Sequence, residues 1–284
     1  MATEVVPGVE AAPAEDVRRR REGAVTRNAR TIGMVWTREL IRLRRMPTRI
    51  VAGLAQPLLF LFVLGAGLKS VVGSRVSGGV DYQQFLFPGI LAMSVLTSAL
   101  MSAISIVWDR EFGFLREMLV APVSRGALVL GKALGGGSVA VAQGIILVVA
   151  APIIGVDLTV GHFALMLLLM LLMAFSLVAF GIVVASRMER MESFQMVMAL
   201  VLQPMLFLSG AIFPLKQLPS WLGVVTRLNP ATYAVDPIRR VVLPSTPGLT
   251  IGGWMIPVWT EALVTLAFGA VMLGVAVQLF GRTE

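Results

Sequence analysis

Six uncharged apolar runs, at residues 50–68, 86–108, 133–156, 158–186, 193–215 and 262–281, limit what this chain can fold into more than any other feature. A helix needs roughly 20 apolar residues to cross the hydrocarbon of a bilayer, and each run is close to that length. Membrane β-strands would instead alternate in polarity over segments of about ten residues, and these runs do not. The sequence therefore reads as an all-α membrane protein. Six transmembrane helices are expected at about 50–68, 86–108, 130–156, 162–186, 193–214 and 258–281. Composition agrees: 57% of residues are hydrophobic and 14% charged, against about 25% charged in soluble proteins, and the mean hydropathy is +0.85.

Lysine and arginine set the expected orientation, because positive charge is retained on the cytoplasmic side. Residues 1–49 carry eleven of them, the connection between runs 2 and 3 four, that between runs 4 and 5 two, and the tail one, which makes eighteen on one face. The other three connections hold six. Both termini are thus expected in the cytoplasm, with the protein in a bacterial cell (inner or plasma) membrane. No secretory signal is read in residues 1–27, which are expected to be a disordered basic tail. The net charge of +8 is a topology signal, and nucleic acid is not an expected partner. The chain has no cysteine and a single histidine, His162, so no metal site is expected.

Residues 31–46 read as an amphipathic helix ended by Pro47. Ile32, Val35, Trp36, Leu40 and Leu43 lie on one arc, and Arg38, Arg42, Arg45 and Arg49 on another. Glu39 falls inside the apolar arc and calls for a partner such as Arg38 or Arg42.

The stretch from Trp108 to Ser138 packs five charges between Asp109 and Glu117. It also holds a near miss to a phosphate-binding loop, Gly126, four residues, Gly131 and Lys132. That loop needs a flexible turn between strand and helix and a hydroxyl after the lysine; here Ala127 to Leu130 intervene and Ala133 follows. Nucleotide binding is rejected. What remains is a short helix with apolar Phe112, Phe114, Leu115, Met118 and Leu119 among charges, ended by Pro122. Such a surface suits a protein partner, with apolar anchors for burial and charges for register.

The segment REFGFLREMLVAPVSRGALVLGKAL, from Arg110 to Leu134, resembles the cytoplasmic link of type 2 ABC transporter permeases. A second segment, FLSGAIFPLKQLPSWLGVVTRLNPATYAVDPIRR from Phe207 to Arg240, resembles the same family's fifth span and extracytoplasmic re-entrant helices. The resemblance runs from about residue 30 to the end, is nearest to exporters of the daunorubicin-resistance type, and makes residues 28–284 one transmembrane domain. It implies a coupling helix seated on a soluble ABC ATPase subunit through Asp109, Arg110, Glu111, Phe112, Phe114, Arg116, Glu117, Pro122 and Arg125. It implies a connecting helix bearing Trp36, Arg38, Glu39 and Arg42. An extracytoplasmic gate would include Pro214, Trp221, Asn229, Pro230, Tyr233 and Asp236. ATP and magnesium would sit on two copies of that ATPase, with no cofactor and no enzymatic activity in this chain. A second permease copy or a sister subunit would complete a dimer in the lipid bilayer.

The spans offer almost no ionisable group for a proton relay or ion site. Glu261 is read as interfacial. A route lined by Ser94, Thr97, Ser98, Gln203 and Met205 suits a hydrophobic or amphipathic compound. The expected function is therefore the permease subunit of an ATP-driven exporter, in multidrug efflux, antibiotic resistance or lipid export. An accessory or assembly subunit without its own pathway is the alternative.

Overall fold

The computed structural model describes residues 14–45, 47–67, 81–113, 124–212, 219–244, 248–251 and 254–281. The N-terminal helix runs Ala14–Arg45. It begins within the segment expected to be a disordered tail, because Ala14 to Glu22 are mostly strong helix formers, with Glu15 and Asp16 in the first turn, where the helix dipole favours acids. Pro47 then opens the next helix, as its fixed φ and missing N–H favour.

Six helices are long and apolar enough to cross a membrane: Ile50–Gly67, Tyr82–Glu111, Arg125–Val149, Val160–Ala185, Met191–Leu208 and Val258–Phe280. Their starts carry local signals. Asp81, Ser124 and Thr159 cap spans 2, 3 and 4, each accepting a backbone N–H with its side chain. Gly113, at φ +79°, ends the helix of span 2 in a left-handed conformation that other residues adopt only at a cost. Span 3 starts at Arg125, five residues before the expected point. Span 5 stops at Leu208, and residues 213–218, with Pro214, lie outside the described residues.

Spans 2, 3 and 4 make the core. Their apolar windows are 78%, 61% and 56% buried, against 22% for spans 1, 5 and 6, so the latter three face outward. Glycines let the core helices close up, as small residues do where helices meet in lipid. A Cβ on Gly136 would meet Ser102 and Val178, and one on Gly181 would meet Ala103 and Leu100. Span 5 is anchored by Phe194, which is fully buried.

Hydrogen bonds reveal which ends lie together. At one end, here called basal, Arg110 of span 2 reaches Ser186 and Met188 after span 4, and Arg125 of span 3 reaches Phe280 at the end of span 6. At the other, distal end, Gln84 reaches Gly155 and Asn229 reaches Met205. The N-terminal helix and the end of span 6 therefore share the basal end. Two short distal helices, Ser220–Leu228 and Pro230–Val242, and a hairpin of Thr250–Ile251 with Trp254–Met255 connect spans 5 and 6.

Candidate functional site

The basal end is built around a buried ion cluster. The N-terminal helix packs along span 3 where that helix has no side chains: Cβ atoms on Gly131 and Gly135 would run into Val35 and Glu39. This close approach carries Glu39 into the bundle. Lys132, about two turns up span 3, is buried; it pairs with Glu39 at 3.5 Å and more tightly with Asp109 at the base of span 2, and donates to Ser105 Oγ at 3.2 Å. Arg38 completes the group at 3.0 Å from Asp109 and 3.4 Å from Glu39. Two cations and two carboxylates balance, the condition under which buried charge is tolerated. Burial depresses the Arg38 guanidinium, but Asp109 and then Glu39 outweigh it and raise its pKa.

All four residues assigned to the connecting helix are engaged with spans 2 and 3. Trp36 donates its indole N–H to Ser138 at 3.0 Å, and Arg42 lies over the Trp108 ring at 5.2 Å. Glu39 thus finds two partners, Arg38 beside it and Lys132 across the interface. Lys132 lies inside a helix between two carboxylates, a setting unlike a phosphate loop.

Asp109, Arg110 and Glu111 close the helix of span 2 rather than opening a separate one. Arg110 donates to the Ser186 and Met188 carbonyls at 3.0 and 2.8 Å, and Glu111 accepts from Met191 N–H at 3.1 Å. A cation thus sits on the C-terminal end of span 4 and an anion on the N-terminal end of span 5, the favoured sign at each. Arg125 donates to Phe280 O at 2.8 Å. Phe112 remains exposed, its ring tilted at 58° to that of Trp108 with centroids 5.4 Å apart. Phe114, Arg116, Glu117 and Pro122 lie outside the described residues, so the middle of the segment expected to be a coupling helix does too.

A second ion cluster braces the distal end. Asp236 accepts from Leu249 N–H at 3.0 Å and pairs with Arg240 at 2.8 Å, and Arg240 also pairs with Glu261 of span 6. Glu261 stands in the first turn of span 6, at the end of the span as expected, but is fully buried there, because the second distal helix folds over that turn. Glu261 Oε1 and the Nε atoms of Arg239 and Arg240 have no hydrogen-bond partner among the described residues. Arg239 donates to Ala211 O at 2.9 Å and lies over the Phe85 ring at 5.1 Å. Asn229 caps the second distal helix ahead of Pro230 and also donates to Met205 O at 2.7 Å; Tyr233 donates to Arg227 O at 2.9 Å. Trp221 is exposed.

The expected pathway residues separate. Ser94 is buried in span 2, its hydroxyl unpartnered among the described residues, with Thr97 and Ser98 partly exposed one turn further on. Gln203 is exposed on span 5, and Met205 is partly buried there. Among the described residues, no group of three or more His, Asp or Glu is placed to hold a metal ion.

Lys132, Arg239 and Glu261 are the structural charges that periodicity missed. For Lys132 and Glu261 the available signal was a place beside an apolar run, which demands a buried partner of opposite sign, whereas Arg239 lies far from any run and carried no such signal.

The chain resembles known proteins over most of its length. The family model for the ABC-2 type transporter membrane domain matches residues 30–243. The chain is 31% identical to the putative transport permease ycf38 of Cyanophora paradoxa, over 84% of this chain and 79% of that one. It is 35% identical to nodulation protein J of Rhizobium meliloti (strain 1021), over 77% and 84% of the two, and 34% identical to that of Rhizobium leguminosarum bv. trifolii, over 74% and 80%. A match over most of the chain, from the ion-paired N-terminal helix to the second distal helix, makes this protein a member of the ABC-2 type transporter membrane family.

Proposed function

We propose that this ABC transporter permease works as an exporter, driven by ATP hydrolysed on a separate soluble subunit that docks on the segment between Glu111 and Arg125. One observation carries the reading: both ends of that segment are tied to the rest of the basal layer. Asp109 holds span 3 and the N-terminal helix, Arg110 and Glu111 hold the turn between spans 4 and 5, and Arg125 holds the end of span 6. A partner moving the segment would move all of these together. In this reading the basal end is cytoplasmic, the membrane is a bacterial inner membrane, and two ATPases serve two permease copies or a permease and its sister. ATP and magnesium reside on the ATPases.

The cargo proposed is hydrophobic or amphipathic, a drug, antibiotic or lipid, taken from the cytoplasm or inner leaflet. Spans 2 and 5 offer hydroxyls, an amide and thioethers in apolar surroundings, which suit such a molecule better than a charged solute. The test is co-expression with an ABC ATPase, pull-down through the permease, and ATP-dependent uptake of a fluorescent amphipathic compound into inverted vesicles. Retention of the ATPase with uptake is expected. Uptake that is unchanged when the ATPase is catalytically dead would overturn the proposal.

A further inference from the structure

A fixed apolar surface at the distal end plays no part in the reading above. The hairpin pairs Thr250 with Met255 and Ile251 with Trp254. An isolated two-stranded hairpin is marginally stable, so its position depends on what braces it. Here Leu249 N–H donates to Asp236 at 3.0 Å, Arg240 donates to Ile256 O at 2.7 Å, and Arg227 donates to Thr250 O at 3.2 Å. The braced hairpin nevertheless presents Trp254 at 83% and Met255 at 58% exposure.

The next helix shows what covers them. Span 6 begins at Val258, and Trp259 in its first turn heads an exposed stripe with Leu263 and Leu266, at the i, i+4, i+7 spacing of one helix face. These are bulky side chains, whereas helices that pair in lipid approach through small ones. Tryptophans gather where a span meets the headgroups, because the ring is apolar and its N–H can stay in the polar layer. Trp254 and Met255 stand just before that boundary on the same chain.

We propose that the hairpin is a membrane-surface anchor, with Trp254 and Met255 seated between headgroups and acyl chains of the leaflet at the distal end, as a continuation of the lipid-facing stripe of span 6. The partner is the bilayer itself, held by apolar insertion. This rests only on span 6 crossing the membrane, so it stands or falls apart from the cargo and its energy source.

The chain contains no cysteine, so Trp254→Cys and Met255→Cys can each carry one nitroxide in the full-length protein in phosphatidylcholine vesicles. Glu189→Cys, in the exposed turn between spans 4 and 5, supplies the aqueous control. Dissolved oxygen should relax the labels at 254 and 255 more than a water-soluble nickel chelate does, with the order reversed at 189. Nickel access at 254 and 255 equal to that at 189 would overturn the anchor. Spin–spin broadening between copies at either position would also overturn it, by giving the hairpin to a second chain.

Discussion

Lys132 and Asp109 form an ion pair across the bases of spans 3 and 2, with side-chain exposures of only 6% and 12%. Removing one partner of a buried pair leaves the other charge uncompensated, which typically costs about 3–5 kcal/mol. Lys132→Met should therefore lower the melting temperature of the detergent-solubilised protein sharply. Lys132→Met with Asp109→Leu should recover part of the loss, and a double variant as unstable as the summed singles would refute the pairing. ATP binding by the assembled transporter should survive Lys132→Ala.

Glu111 separates anchoring from docking. It caps span 5 through Met191 N–H, and reversing its charge puts a cation at a helix N-terminus, a change of about 1 kcal/mol. Glu111→Arg should reduce export while the ATPase is still recovered by pull-down, and Glu111→Gln should be close to the parent. Loss of the ATPase from the pull-down would place Glu111 at the subunit interface instead.

Gly89 has no room for a side chain, because a Cβ there would fall on the Ala211 carbonyl, which is backbone. Overpacking of this kind typically costs about 1–3 kcal/mol or more when nothing flexible can yield. Gly89→Ala should reduce the monodisperse peak in fluorescence-detected gel filtration. Gly161→Ala, with nothing within 4 Å, should leave it unchanged.

Arg240 stands between two carboxylates, Asp236 and Glu261. Arg240→Met strands both and should destabilise by about 3–5 kcal/mol. Glu261→Gln added to it should restore part of the stability, since one of the two stranded charges is gone. Equal melting temperatures for Arg240→Met with and without Glu261→Gln would show that the two residues do not interact.

The distal helices can be tested for gating by labelling. Leu228 is 77% exposed and Thr232 fully buried, its hydroxyl donating to Thr226 O at 2.7 Å. Leu228→Cys should react with a maleimide at rest and Thr232→Cys should not. If the distal helices move with the transport cycle, trapping ATP should make position 232 reactive. Protection in every nucleotide state would mean these helices do not gate.

The spans were legible because each is a long uncharged run. Glu39 was legible as an anomaly: a carboxylate on an apolar arc demanded a cation. Its far partner was not, since Lys132 lies 93 residues away and only packing through Gly131 and Gly135 brings the two together. That Arg110 and Glu111 also hold helix ends was not legible, because an interface charge and a helix-end cap look alike in one dimension. Their acceptor and donor are backbone groups, which carry no sequence signature.

The span of chain between Glu39 and Lys132 also has a temporal meaning. At ~5–20 residues per second of synthesis, the N-terminal helix is complete roughly 5 to 20 seconds before the lysine that neutralises it has been polymerised. Through that interval Glu39 has no buried partner to meet, so the helix must wait in water or on the lipid surface. The basal layer is consequently the product of a late docking event, which cannot precede delivery of the third span into the bilayer.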